Sequence, residues 1–366
     1  MLALENPSIH SESMYVSAKT GTKCQRPFIA AMLVCCLAVI GLLATPAAQA
    51  QTLRERMAER LQERRAAALG DAGPGELSEE SIEHDGLRRT YLVHVPPQLK
   101  DASRPVPLVL AFHGGGGDAV FMARNPRYGL MAKADAAGFI VVFPGGYSQL
   151  PSGLFAAWNA GNCCGEARDR MVDDVGFARA LIKRLQTTHA IDAKRVYAVG
   201  MSNGGMLAHR LACDAADVFA AVASVAGTDN TKTCVPNRPI SVLHIHAKDD
   251  DHVLFEGGAG PASVRDASKI TAFTSVPLTI ARWVERDRCE AKPARSLDVA
   301  GAYCESYKAC AGQAEVALCV TGTGGHSWPG GSAVRGGQAS SSALSALPAL
   351  FANDVMWDFF KAHPMP

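Results

Sequence analysis

The sequence predicts an α/β chain built on a mostly parallel central sheet flanked by helices. Three observations predict it. Apolar, β-branched runs alternate with stretches of helical periodicity between residues 106 and 226, the pattern of successive βαβ units. One such run, Val196-Tyr-Ala-Val199, feeds Gly200-Met-Ser-Asn-Gly204 and then a helical pattern reaching Ala212, which is the G-x-S-x-G turn in its strand, turn and helix setting. An acidic cluster and then a histidine follow on loops beyond later strands, so serine, acid and histidine occur in that chain order.

The first fifty residues read as an export signal. Lys19, Lys23 and Arg26 precede an apolar stretch from Phe28 to Leu43, and Ala48-Gln49-Ala50 is an A-x-A cleavage site, so the mature chain is expected to begin near Gln51, secreted or periplasmic. Three other readings are a retained anchor, a lipidated Cys35 or Cys36, and a start at Met14. The apolar stretch is shorter than the roughly twenty residues of a spanning helix, so no stable membrane insertion is expected once the signal is removed. Residues 51–80 are rich in Arg and Glu, with Leu53, Met57 and Leu61 near helical spacing, and read as a charged helical and linker segment. Residues 81–366 read as one catalytic domain. The formal net charge is +1 with no basic face, so a nucleic-acid partner has no electrostatic footprint.

Within the domain, Arg89–Val95 reads as a strand closed by Pro96-Pro97, and Val106–Phe112 as a buried strand of the parallel type. The latter runs into His113-Gly-Gly-Gly-Gly117, where backbone N–H groups can face a developing negative charge. A helix over Tyr128–Ala137 and a strand over Phe139–Phe143 follow. A Pro/Gly-rich excursion then leads to Trp158 and to Cys163-Cys164, whose direct pairing would strain the joining peptide, so each is expected to pair with a distant cysteine. Asp173 and Asp174 suit the N-terminus of a helix over Val175–Thr187.

Strand candidates Phe219–Ala226 and Ile240–His246 come next, the second entering Ala247-Lys-Asp-Asp-Asp-His252. An acid on this loop is where the fold places the group that orients a catalytic histidine, and Asp249, Asp250 and Asp251 compete for it. His244 and His246 read as structural, since a lone H-x-H is weak support for a metal site. The region between 263 and 310 is less regular, with a helix near Thr279–Arg286. Strand Val316–Val320 delivers the glycine-bounded His326, and Ala349–Lys361 reads as a terminal helix. Eight cysteines remain after the signal, an even number suited to disulfides in an exported protein, with about a hundred pairings open.

These motifs together carry a resemblance. His113-Gly-Gly-Gly-Gly117, Trp158-Asn-Ala-Gly161 with Cys163-Cys164-Gly165, Val172-Asp-Asp-Val-Gly-Phe177, Gly200-Met-Ser-Asn-Gly-Gly205 and Gly324-Gly-His-Ser-Trp-Pro-Gly330 resemble the polyhydroxybutyrate depolymerase family of exported esterases, with its feruloyl and acetylxylan esterase relatives. The resemblance spans about residues 85 to 362. It implies an α/β-hydrolase fold with the serine on a nucleophile elbow, no cofactor, and hydrolysis of carboxylic esters through an acyl-enzyme. No metal is expected, since Cys163-Cys164-Gly165 lacks the C-x-x-C spacing zinc sites favour.

The family pattern H-G-T-x-D-x-x-V, laid on His246-Ala-Lys-Asp-Asp-Asp-His-Val253, implies Asp250 as the acid. Ala247, Lys248 and Asp251 depart from that pattern and keep Asp249 and Asp251 open. The expected set is therefore Ser202 as nucleophile, His326 as general base and Asp250 as its orienting acid, with the backbone N–H groups of Gly115 and Asn203 as oxyanion donors. Trp158 and Trp328 are candidates for an aromatic pocket wall or for packing. The expected substrate is a hydroxyalkanoate ester; a ferulate or acetylxylan ester is the alternative, and a non-catalytic binding protein on the same scaffold is a further one.

Overall fold

In a computed structural model, the described residues are 75–366 apart from 101, 151, 264–271 and 332–348, together with Arg56, Glu59 and Arg60. The expected export signal and most of the charged segment lie outside them. The chain divides into two compact units, Met1–Met57 and Ala58–Pro366, and every feature below belongs to the second.

Among the described residues ten strands run in chain order: β1 Glu76–His84, β2 Leu87–Val95, β3 Val106–Phe112, β4 Ile140–Pro144, β5 Ile191–Met201, β6 Ala221–Val225, β7 Ser241–Ala247, β8 Ala294–Val299, β9 Ala302–Tyr307 and β10 Val316–Thr321. They form one sheet in the order β1-β2-β4-β3-β5-β6-β7-β10-β9-β8. The six central strands from β4 to β10 pair in parallel, and an antiparallel pair closes each edge. Strands β3, β4, β6, β7 and β10 are buried at every residue, which is why they read as unbroken apolar runs rather than alternating ones.

Helices cover both faces. Helices α2 (Asp174–Thr188), α3 (Asn203–Asp214) and α4 (Val276–Arg286) press Phe177, Leu181, Leu207, Leu211 and Trp283 onto one face of the sheet. Helices α1 (Leu130–Ala137) and α5 (Ala352–Ala362) press Leu130, Met131, Met356 and Phe360 onto the other. There Phe360 stacks on Tyr197 of β5 with ring centroids 4.5 Å apart.

The edges depart from the expectation. Strand β1 occupies the end of the segment read as linker and crosses position 81, where the catalytic domain was expected to open. Its sequence ELSEESIEH is mostly polar because an edge strand can face water with charged side chains. Its signal is the Asp85-Gly86 turn, both residues with positive φ as a two-residue hairpin requires. Strands β8 and β9 form a second edge hairpin in the stretch read as irregular; β8 is almost wholly exposed.

The cysteine expectation at 163 and 164 is corrected. These two residues pair with each other, while Cys213–Cys234, Cys289–Cys310 and Cys304–Cys319 take up the other six. The strain argument lost to proximity, because neighbouring cysteines have no chain to close between them. The same arithmetic makes that pair worth little against unfolding. The other three close loops of 21, 21 and 15 residues, each worth about 3 kcal/mol by chain entropy.

One buried carboxyl is poised against the fold. Asp287, which ends α4, accepts the Ile240 N–H at 3.3 Å, and its second oxygen has no partner. Burial pushes its pKa up to about 7 against the pull of Arg286 and Arg238. A carboxyl bound more tightly to its proton in the folded state stabilises at low pH and loses that contribution as pH rises through the folded value. Asp287→Asn is therefore expected to leave the melting temperature nearly unchanged at pH 4 and to raise it at pH 8, read by calorimetry at both pH values.

Candidate active site

Four loops converge at the carboxyl ends of β3, β5, β7 and β10, where an open parallel sheet places its ligands. The tightest is the turn between β5 and α3. Ser202 there has φ 54° and ψ −121°, a left-handed backbone that costs a non-glycine residue about 1–3 kcal/mol. Hydrogen bonds hold it: its N–H donates to Val225 O at 2.8 Å and its carbonyl accepts from Met206 N–H at 2.9 Å. The flanking glycines are required by contact. A Cβ on Gly200 would strike the backbone of Gly204, and one on Gly204 would strike the carbonyl oxygen of Phe112 on β3.

The loop after β3 lies against this turn. Gly116 N–H and Gly117 N–H are spent on Ala156 O and Gly114 O, at 2.8 and 3.0 Å. Gly115 lines the cavity beside Ser202 and Asn203, and a Cβ on it would sit 3.6 Å from the Asn203 Cβ. His113 staples the loop from beneath: its Nε2 accepts Gly146 N–H at 2.9 Å, and Nδ1–H donates to Gly114 O at 2.8 Å. Burial pushes its pKa down to about 4, so the ring stays neutral and keeps that pairing. The Asn203 side chain is committed elsewhere, exchanging hydrogen bonds of 2.8 and 3.0 Å with the main chain of Trp158. Its backbone N–H lies in the first turn of α3, where N–H groups have no partner within the helix.

Of the three aspartates, Asp250 faces His326. Its Oδ2 accepts His326 Nδ1–H at 2.8 Å, and its Oδ1 accepts the backbone N–H groups of His252 and Val253, each at 2.9 Å. A further donor, His246 Nε2, stands 3.2 Å from Oδ2. Burial alone would raise this carboxyl, but the hydrogen bonds from His246 and His326 outweigh it and hold the group well below the usual carboxylate range. Asp249 instead accepts Gly325 N–H at 2.8 Å and so fastens the histidine loop, while Asp251 pairs with His252. The His252 ring stacks on His326 with centroids 4.6 Å apart. His246 is buried, as its structural reading expects; the H-x-H spacing showed a shared strand face but not what the face meets.

Ser202 and His326 share the wall of a cleft of about 670 Å³. Its aromatic lining is Phe121, Tyr128, Phe155 and Phe273, with Arg127 and Leu154 beside them. Trp158 and Trp328 are not in it. Trp158 is fully buried, its Nε1–H donating to His113 O at 2.9 Å and its ring edge-on to Phe112. Trp328 is also buried; its Nε1–H donates to Asn353 Oδ1 at 3.1 Å and its ring backs Tyr128 at 5.4 Å. Of the two roles open to them, packing is the one the structure gives, because an indole with its N–H satisfied inside is worth more buried than solvated.

Asp174 also exceeds its reading as a helix-end carboxylate. Asp173 is the N-cap, accepting Gly176 N–H at 2.9 Å. Asp174 is fully buried, bonded to Arg89 Nη2 at 2.6 Å and to Asn159 N–H at 2.7 Å. Arg89 lies over the Phe177 ring at 4.1 Å. This pair anchors the 158–165 loop at Asn159. The one group of possible metal ligands among the described residues is Asp250, His252 and His326. Two of these, Asp250 and His326, already bond each other, and a metal there would break that bond.

The family model "Esterase PHB depolymerase" matches residues 89–262. A putative esterase NocK of Nocardia uniformis subsp. tsuyamanensis is 35% identical over 261 residues, covering 67% of this chain and 72% of that protein. Feruloyl esterase B of Piromyces equi is 33% identical over 229 residues, covering 61% of this chain but only 40% of that longer protein. Among solved structures, native sOPH is similar in fold, with a TM-score of 0.50 at 17% identity over 79% of this chain and 88% of that one.

Removing Arg89 strands a buried carboxylate. Arg89→Met is expected to lower the unfolding free energy by about 3–5 kcal/mol in urea titration, and Arg89→Met with Asp174→Asn to recover part of the loss.

Proposed function

Given that the chain belongs to the esterase PHB depolymerase family, we propose that it is a serine carboxylic-ester hydrolase that works through an acyl-enzyme on Ser202. His326 takes the hydroxyl proton as Oγ bonds to the ester carbonyl carbon. Asp250, ionised and held by its four donors, keeps the imidazole in the tautomer that accepts at Nε2 and steadies the cation that forms. The N–H groups of Gly115 and Asn203 receive the oxyanion. His326 then returns its proton to the departing alkoxide, and water repeats the sequence to release the acid. The observation that carries this reading is the 2.8 Å bond between Asp250 and His326 in the cleft that Ser202 shares.

Four aromatic rings around a cleft of about 670 Å³ suit an acyl group larger than acetyl. The preferred substrate is an ester of an aromatic acid of the hydroxycinnamate type, a class supported by the feruloyl esterase relative. The second reading is a hydroxybutyrate oligomer, supported by the family model. Four disulfides suit a protein that works in an oxidising compartment outside the cytosol, in keeping with export. No helix among the described residues is long and apolar enough to cross a membrane.

On a panel of methyl ferulate, a hydroxybutyrate trimer and p-nitrophenyl acetate, kcat/KM is expected to be highest for the ferulate ester; a higher value for the trimer would transfer the assignment to the second reading. Ser202→Ala is expected to lower kcat by on the order of a million-fold, to background, and to abolish fluorophosphonate labelling. Retained turnover in that variant would remove the serine mechanism.

A further inference from the structure

Behind Asp250 a file of buried polar side chains crosses the domain. His209 comes from α3, His244 and His246 from β7 and Trp283 from α4, and none is more than 1% exposed. Trp283 Nε1–H donates to His209 Nδ1 at 3.0 Å. His209 Nε2 meets His244 Nδ1 at 3.3 Å, and His244 Nε2 meets His246 Nδ1 at 3.1 Å. His246 Nε2 then reaches Val253 O at 2.8 Å and Asp250 Oδ2 at 3.2 Å.

The two ends of this file decide where every proton sits. An indole nitrogen only donates, and a carbonyl or an ionised carboxylate only accepts. His209 must therefore accept at Nδ1, which puts its proton on Nε2, and the same reasoning passes through His244 to His246. Three neutral rings supply one proton for each remaining link. A second proton on any ring would set N–H against N–H. Burial agrees, pushing His209 down to about 4 and His244 well below the ordinary histidine range. The charged groups facing the file are Asp229 and Arg286 beside His209, which pair with each other at 2.6 Å, and Asp250 at the far end.

We propose that His246 is a positioning residue for ester hydrolysis, its Nε2–H held toward Asp250 by a one-way hydrogen-bond file that begins at Trp283 and passes through His209 and His244. The inference rests on the Ser202, His326 and Asp250 reading and extends it one residue behind the acid. Backbone N–H groups fix Oδ1 of Asp250. The His246 N–H, shared between Val253 O and Oδ2, supports the second oxygen and limits the swing of the carboxylate plane as charge forms on His326. A neutral donor is what this place requires. A cationic one would compete with the His326 imidazolium for the same oxygen and weaken the stabilisation that catalysis uses. Each bond in the file also polarises the next, strengthening the last donor.

The test uses the full chain, with kcat and KM measured on a p-nitrophenyl ester and the His326 Nδ1 proton followed by low-field proton NMR. His246→Phe is expected to lower kcat about 10- to 100-fold with KM within about twofold, as loss of an outer-shell partner does elsewhere, and to shift or broaden the low-field resonance. His246→Gln places a neutral amide donor near the Nε2 position and keeps an acceptor in its Oε1; it is expected to recover most of kcat and the resonance. Trp283→Phe removes only the first donor and is expected to lower kcat a few-fold with unchanged KM, a readout that stands if His246→Phe does not fold. Folded His246→Phe with wild-type kcat and resonance overturns the proposal, as does folded His246→Gln no better than His246→Phe. Ser202→Ala in the same assay separates the levels: if it is inactive, those results strike the positioning role alone, and if it is active, the underlying triad reading falls.

Discussion

The contact on which this structure depends is the close approach of α3 to β3 and β5 at Gly200 and Gly204. Neither position has room for a Cβ, and the backbone between them is forced into the left-handed conformation of Ser202. That strain persists because the surroundings over-determine it. The Ser202 N–H is bound to the end of β6, its carbonyl begins the hydrogen-bond ladder of α3, and the first side chain of that helix locks onto Trp158. One packing constraint thus lifts a hydroxyl above the sheet, starts α3 at the next residue, and brings the loop after β3 alongside.

The remaining parts are held by polar groups that close their hydrogen bonds completely. His113 ties the glycine loop to Gly146, Asp249 ties the histidine loop to Gly325, and Asp250 accepts from four donors. His113 and Asp250 are buried where they do this, whereas Asp249 is exposed, and a buried polar group that finds its partners stiffens its surroundings rather than destabilising them. Arg89 is the exception. It meets Asp174 and Gly145 O, yet its Nε and Nη1 have no partner, so the pair that anchors the 158–165 loop carries a desolvation cost that aromatic contact with Phe177 only partly offsets.

How much of this was legible in the sequence follows from burial. β3 is buried at all seven residues and coincides with the apolar run that marked it, whereas β1 and β8 lie at sheet edges, carry charged side chains and left no apolar trace. Serine, acid cluster and histidine were visible as types in order. Which of three consecutive aspartates faces His326 came only from the family resemblance, which pointed to Asp250, because adjacent carboxylates differ only in the direction the turn gives them. The two tryptophans beside the motifs were visible too, but a residue type does not say which side of a loop it occupies. Least legible was the histidine file: His244 and His246 share a strand, but His209 lies 35 residues before His244 and Trp283 another 74 beyond His209. Only the packing of α3 and α4 onto the same face of the sheet brings them into line.

The groups assigned to the chemistry and the rings that line the cleft come from different kinds of structure. Ser202, Asp250 and His326 stand at strand ends, braced from the core, while Phe121, Phe155 and Phe273 stand on connections outside the sheet. Insertions and replacements in those connections can therefore rewrite what the cleft admits without disturbing the backbone that positions the reaction. Descent from a common ancestor can diversify along that seam, changing the rim of the cleft while the strand ends that frame it stay fixed.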